Sequence, residues 1–296
     1  MALIGVDVGG GGVRAALVEG VEVGTIVREP LRARAVDDVV AAVEVVVRRL
    51  GAPTALVGVG VPGFVAGGVV RASPNFPGWR DVPLVGLLGA RLGLPVHLEN
   101  DANAAAFGAW SRLASGGDLV QLTLGTGVGG GVVTDGRLLR GAGGTGAELG
   151  HIYVGGSRPC GCGGVGCLET WASTVGLQAA ATERGQQVPD GQTVVHAARA
   201  GEPWAVEVVE EAAEALGRGL TTLVNVFNPD LLRLSGGLAA ARDLLAPRAE
   251  GWLRQRGVAA SVERLRVVWA DRADEDAILG AALAARQAQA SRTAGA

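Results

Sequence analysis

Residues Gly5–Val18 read GVDVGGGGVRAALV. An apolar strand runs into Asp7, four glycines follow at Gly9, Gly10, Gly11 and Gly12, and a second strand-like run starts at Val13. Glycines allow backbone N–H groups to converge on an anion with no Cβ in the way. The run is not a P-loop, because no Gly-Lys-Ser/Thr follows. It is not a dinucleotide fingerprint either, because a strand stands where that fingerprint requires a helix. An ordinary hairpin turn is the plain alternative for this loop taken alone.

Outward from the loop, the same pattern returns. ALIGVD (2–7), 13–18 and 21–28 read as strands, the last because VEVGTIV alternates with period two. A helix is expected over 36–50, with Asp37 and Asp38 in its first turn and Arg48 and Arg49 in its last, as the helix dipole favours. A strand at 54–61 stops at Pro62-Gly63. Residues 64–82 read as loop-rich, and a helix is expected near 83–93. The strand PVHLEN then ends at Asn100, and a helix begins at Asp101. The second half repeats the motif: strand 118–125, the glycine run GTGVGGG (125–131), strand VVTDG. After the glycine-rich 141–170 the chain reads as mainly helical from 171. It is broken by a strand at 231–235 that meets Gly236-Gly237, and by another at 264–269 before a last helix. Two halves that each start strand, glycine turn, strand suggest two related α/β domains around a cleft.

The 296 residues carry a net charge of -3 with no block of like charge, so neither nucleic acid nor an anionic membrane is expected as a partner. Apolar runs are strand-length or interrupted by charge, so no membrane-spanning helix is expected. A strand begins within three residues of Met1 and leaves no room for a signal peptide, which makes a cytoplasmic location the expectation. All 26 basic residues are arginine.

Three further segments carry chemistry. In LENDANAAAFG, an aspartate at a strand-to-helix junction beside Asn100 suits a general base; the plain alternative is that Asp101 caps the helix. In GAELGHIYV and CGCGGVGCLE, His151, Cys160, Cys162 and Cys167 supply one nitrogen and three sulfurs, a closed tetrahedral Zn²⁺ set with no open position for a catalytic water. Free thiols are the alternative. Glu148 and Glu169 flank these ligands. In SPNFPGW (73–79), Asn75 lies on a proline-stiffened loop, which is otherwise a surface turn.

Taken in order, ENDANAAAFG, LTLGTGVGGGVV, GAELGH and CGCGGVGCLE resemble the repressor/open-reading-frame/kinase family of sugar kinases from Ile4 to about residue 285, most closely its zinc-containing bacterial glucokinases. The resemblance implies an α/β, actin/hexokinase-like (ribonuclease H-like) two-domain fold with a central cleft. It implies a small domain of residues 1–107 completed by 280–296, and a large one of 108–279 that carries the zinc. The implied activity is transfer of the γ-phosphate of ATP to a hexose 6-hydroxyl, glucose first. Asp101 is the implied base, and Asn75, Asn100, Asp101, Glu148, His151 and Glu169 are implied around the sugar. Asp7, Gly9, Gly10, Gly11, Gly12, Thr126, Gly127, Gly129, Gly130, Gly236 and Gly237 are implied around ATP and Mg²⁺. Structural Zn²⁺ falls to His151, Cys160, Cys162 and Cys167. Repressors of the family carry a helix-turn-helix ahead of the first loop; that loop starts near residue 7 here, so none is expected. A dimer or tetramer is expected. One departure stands out. The family loop reads Asp-x-Gly-Gly-Thr and then Lys, Asn or His, whereas this chain has Gly11 and Gly12. A weakened, kinase-like hexose sensor, a kinase for another hexose or N-acetylhexosamine, a zinc-stabilised binding module without nucleotide, and a polyphosphate donor are the alternatives.

Overall fold

The structure is a computed structural model that describes residues 2–52, 55–113, 116–270 and 274–294. It divides into two compact units: residues 1–116 with 131–147 and 274–296, and residues 117–130 with 148–273.

The first unit starts with β1 (Ala2–Gly9), β2 (Gly12–Glu19), β3 (Glu22–Val23), β4 (Val27–Pro30), α1 (Val36–Arg49) and β5 (Ala55–Val61). It continues through β6 (Phe64–Ala66), β7 (Val69–Ala72), β8 (Arg80–Val82), α2 (Leu84–Leu92), β9 (Val96–Asn100) and α3 (Asp101–Ser111). Its main sheet has the order β3-β2-β1-β5-β9, with β4 also on β2. β1 pairs antiparallel with β2 and parallel with β5, and β5 pairs parallel with β9.

Strand alternation sorts the two faces of this sheet. Ile4, Val6 and Val8 join Val57, Val59 and Val61 in a cluster with Val39, Val43, Val46 and Val47 of α1. A buried valine of this kind contributes about 1.5–3 kcal/mol before entropy. The opposite face carries Gly5 and Gly58, and there a Cβ would overlap the carbonyls of Ile278 and Ala281. The chain's last described helix therefore lies directly on the strands. The same seam continues where Gly280 abuts the Ala104 carbonyl and Gly108 the Asp276 carbonyl, which clamps α3 against that helix.

The second unit starts with β10 (Leu119–Leu124) and the first residues of β11 (Val128–Thr134), which runs through the division at residues 130 and 131; the rest of β11 and β12 (Arg137–Leu138) fall in the first unit. Then come α4 (Thr174–Glu183), α5 (Gly191–Arg199), α6 (Pro203–Phe227), β13 (Leu231–Ser235), α7 (Arg242–Arg256), α8 (Ala259–Arg264) and β14 (Arg266–Trp269). The sheet order is β12-β11-β10-β13-β14, with β10, β13 and β14 mutually parallel. α6 starts on Pro203 and ends at Asn228 in a left-handed cap whose N–H bonds the Val224 carbonyl, so both ends use their preferred residues. The last described helix of the chain is α9 (Asp274–Ala294), the one on the first unit's seam.

Four sequence expectations are corrected. The strand expected at 21–28 is two pieces, β3 and β4, separated where Gly24 N–H turns back to the Leu17 carbonyl. Residues 64–82 keep a loop at 73–79 but otherwise form a three-stranded antiparallel sheet, β6-β7-β8. Its hairpin turns on Gly67 and Gly68, both at positive φ, which is the backbone a two-residue hairpin demands. The glycine run 125–131 is mostly strand, because β11 already begins at Val128. The strand expected from 264 starts at Arg266, after α8. Thr54, the expected start of the strand that is β5, lies outside the described residues.

Candidate active site

In the first unit the β1–β2 register sets Gly9 opposite Gly12 and Asp7 opposite Arg14. Asp7 is buried, and its Oδ2 accepts from Arg14 Nε at 3.0 Å and from Arg14 Nη2. The two departures from the family loop have different causes. A Cβ on Gly11 would meet nothing within 4 Å, whereas one on Gly12 would stand 2.9 Å from the Glu29 carbonyl oxygen of β4. Neither residue needs a left-handed backbone. Gly12 is therefore enforced by the strand beside it, and Gly11 is not.

The next strand brings the two aspartates together. Asp7 pairs in register with Gly60 of β5. A Cβ on Gly60 would lie 3.6 Å from Asp101 Cα. Asp7 and Asp101 thus flank a residue with no side chain. The cap of α3 is Asn100, not Asp101: Asn100 Oδ1 accepts from Asn103 N at 3.0 Å, and Asn100 Nδ2 donates to the Gly63 carbonyl at 3.0 Å. That removes the plain reading of Asp101 as the helix cap. Its Oδ1 accepts from Ala102 N at 2.9 Å in the first turn, where a carboxylate is favoured.

The Asn75 loop is anchored by its aromatics. Phe76 and Trp79 are buried and stack at 4.6 Å. Trp79 Nε1 donates to the Arg34 carbonyl at 3.0 Å, and Arg34 Nη1 donates to the Asn75 carbonyl at 3.2 Å. Asn75 Nδ2 lies 3.8 Å from where a Cβ on Gly10 would stand, so the Asn75 loop borders the Gly9–Gly12 turn.

Sequence reading missed Glu99 and Arg140. Glu99 is buried beside Asn100. It accepts from Arg140 Nε at 2.8 Å and Nη2 at 2.7 Å, from Asn103 Nδ2 at 3.3 Å and from Asn100 N at 3.2 Å. His97 Nε2 stands 3.9 Å away, beyond hydrogen-bond reach. Burial pushes the Glu99 carboxyl up, but His97 and Arg140 outweigh it and hold the group below the ordinary carboxylate range. The signal was a second carboxylate immediately before Asn100-Asp101.

In the second unit the tight turn is Gly125–Gly127, closed by Gly125 N–H to the Gly127 carbonyl at 2.8 Å; Gly129 and Gly130 lie within β11. Glu169 Oε2 accepts from Val128 N at 2.9 Å and lies where a Cβ on Gly127 would be. Its other oxygen is 3.9 Å from Cys160 Sγ. The turn Gly236–Gly237 adjoins the first, because Gly236, at φ 91°, packs on the Leu124 carbonyl. Glu148 immediately precedes the short 3₁₀ turn Leu149–His151. Burial, and then the charge of Glu169, push its carboxyl above the ordinary range against the pull of His151.

The ligand atoms of His151, Cys160, Cys162 and Cys167 all lie within 4.8 Å of one another. Cys160 Sγ is 3.5 Å from His151 Nδ1, and Cys162 Sγ is 3.7 Å from Cys167 Sγ. A tetrahedral zinc with Zn–S bonds of about 2.3 Å separates its sulfurs by about 3.8 Å, so the set fits that ion. Burial pushes the Cys167 thiol up to about 12, whereas the Gly164 N–H lowers Cys162. A cation is what would make the buried thiolate favourable. His151 faces the sulfurs with Nδ1, which leaves Nε2 for an outer partner.

The sequence profile described as the ROK family matches residues 3–288. The chain belongs to the ROK family. It is 36% identical to a glucokinase of Thermotoga maritima over 95% of this chain and 96% of that one. Among solved structures it resembles a ROK hexokinase from Thermus thermophilus, with TM-score 0.82 and 35% identity over 98% of this chain and 100% of that one. It also resembles a ROK family glucokinase from Streptomyces griseus in complex with glucose and AMPPNP, with TM-score 0.78 and 31% identity over 97% and 100%. The α/β fold of this ROK chain is accordingly the actin-like one expected from the sequence. No helix among its described residues is long and apolar enough to cross a membrane.

Proposed function

We propose that this chain is an ATP-dependent hexose kinase that transfers the γ-phosphate of ATP to the 6-hydroxyl of glucose. The observation that carries the reading is its full-length likeness to glucokinases. The two aspartates on either side of Gly60 supply a chemical rationale. Asp101 accepts the hydroxyl proton as the sugar oxygen attacks. Asn75, Asn100, Glu148, His151 and Glu169 orient the sugar hydroxyls. The turn Gly9–Gly12 and the segment Thr126–Gly130, a turn running into β11, offer N–H groups to phosphate oxygens, and Gly236-Gly237 borders the adenosine. Asp7 would hold Mg²⁺ through water, and that ion when bound neutralises charge on the phosphate oxygens. Phosphoryl transfer needs mainly positioning and electrostatic stabilisation, so this set is sufficient. His151, Cys160, Cys162 and Cys167 would hold Zn²⁺ as a structural ion that fixes the segments bearing Glu148 and Glu169.

A coupled assay for ADP release against glucose, mannose, fructose and N-acetylated hexosamines tests the reading. ADP release with no hexose above the ATP background removes it, and a different best sugar corrects only the acceptor. Polyphosphate in place of ATP tests the donor in the same assay, and light scattering after gel filtration tests the expected dimer or tetramer. The all-glycine loop at Gly9–Gly12 supports a second reading, a hexose sensor with weak turnover. That reading requires glucose binding by calorimetry with little ADP release.

A further inference from the structure

The loop Gly9–Gly12 carries no cation of its own, and an arginine from another segment lies beside it. Gly12 has no space for a side chain, because the Glu29 carbonyl of β4 stands in it. Arg14, the nearest arginine in sequence, is bound to Asp7. Arg34 is placed differently. Its Nη2 lies 3.7 Å from the position a Cβ on Gly10 would take, next to Asn75 Nδ2. It is fixed from both ends: Trp79 Nε1 holds its carbonyl and the Asn75 carbonyl holds its Nη1. Among the described residues it has no acidic partner. A guanidinium has five N–H donors in a planar fork suited to phosphate oxygens, and one contact to Asn75 leaves most of them unused.

We propose that Arg34 binds the γ-phosphate of the nucleotide at the point of transfer and follows it onto the sugar. The inference rests on the kinase reading above. Asn75, assigned to the sugar side, sets the guanidinium between the sugar and the loop, so it meets the phosphate that moves rather than those that stay on ADP. In the step, the bond from phosphorus to the β,γ-bridging oxygen breaks and its electron pair leaves with ADP. The sugar 6-oxygen forms the new bond to phosphorus and gives its proton to Asp101. Arg34 offers its N–H groups to the non-bridging oxygens throughout and undergoes no covalent change. This residue would supply, from a separate segment, the positive charge that a lysine provides in those family loops that carry one.

The test uses the full chain with Arg34→Met, which keeps an unbranched stem and removes the charge, and Arg34→Lys, which keeps the charge and loses the fork. Arg34→Met is expected to lower kcat by roughly 10- to 100-fold. It should weaken AMPPNP in calorimetry by about tenfold while ADP stays within about twofold. Arg34→Lys should recover part of both. Arg34→Met turnover equal to wild type, or an equal loss for ADP and AMPPNP, overturns the proposal. If Arg34→Met melts early, Arg34→Lys decides by the same AMPPNP-to-ADP comparison. A wild-type chain that releases no ADP with any hexose removes the kinase reading itself. In that case the two titrations still judge the phosphate contact.

Discussion

Replacing Gly11 by threonine adds a hydroxyl to the Gly9–Gly12 loop, proposed above to hold phosphate, at a position where the structure leaves room for it. A Cβ there meets nothing within 4 Å, and the backbone is outside the left-handed region that would resist a β-branched residue. A hydrogen bond to a charged group is worth about 1.5–3 kcal/mol, which sets a ceiling of roughly 10- to 150-fold on kcat/KM. Gly11 is exposed, so water already solvates part of that charge and the lower end, about tenfold, is the expected gain. The matched control is Gly12→Ala. Its methyl would sit 2.9 Å from the Glu29 carbonyl oxygen, and overpacking of this kind costs about 1–3 kcal/mol. At roughly 2–4 °C per kcal/mol for a large domain, Tm should fall by several degrees. Both variants are read by steady-state ADP release against ATP and glucose, with a melting curve for each. If Gly11→Thr folds as well as wild type and its kcat/KM is unchanged or lower, the four-glycine loop is already sufficient and the missing hydroxyl is no defect.

Asp101→Asn keeps the shape of the carboxylate and removes the base; kcat should fall by about 10²- to 10⁴-fold, and activity within a few-fold of wild type would sink the base role. Arg140→Met leaves the buried Glu99 without its nearest ionic partner and should destabilise by about 1–3 kcal/mol in a denaturant titration, less than for a fully buried pair because the guanidinium is 35% exposed. The sign with pH follows from the lowered Glu99 pKa: the stabilisation is complete above about 4.5 and is lost as pH falls through the folded value. Wild type should therefore lose stability in that acid window, and Arg140→Met should lose less of it; identical acid profiles refute the coupling. Elemental analysis should find one zinc per chain. Its removal by a chelator should lower Tm and also weaken ATP, because Glu169, two residues after the ligand Cys167, bonds the Val128 N–H; an intact ATP affinity in the zinc-free protein contradicts that link.

The parts of the chain that read correctly from sequence are those whose structure is local. β1, its glycine turn and β2 are contiguous, as are the β9–α3 junction and the segment Cys160–Cys167, and each places its chemistry within a few residues. The cap of α3 was legible only in part: the sequence shows two adjacent candidates, and only the bonds to Asn103 N and the Gly63 carbonyl decide for Asn100. What failed to read depends on distant partners. The strands β6 and β8 are three residues each, too short to show a period, although Gly67-Gly68 was a hairpin signal in plain view. Gly12 looks like its neighbours until β4 is laid beside it. Arg34 sits in an undistinguished run, LRARA, and gains its position from a tryptophan 45 residues away.

The small-residue seam of α9 also governs when the first unit can be completed. β1, β5 and α3 are made early, yet the helix that lies on Gly5, Gly58 and Gly108 does not begin until Asp274. At roughly 5–20 residues per second, the ribosome needs on the order of ten to thirty seconds to bridge that interval. Throughout it, one face of the nascent sheet waits uncovered while the whole second unit is synthesised. The half of the molecule that carries both aspartates is therefore the last to close, and a growing chain cannot complete it before most of its length has been translated.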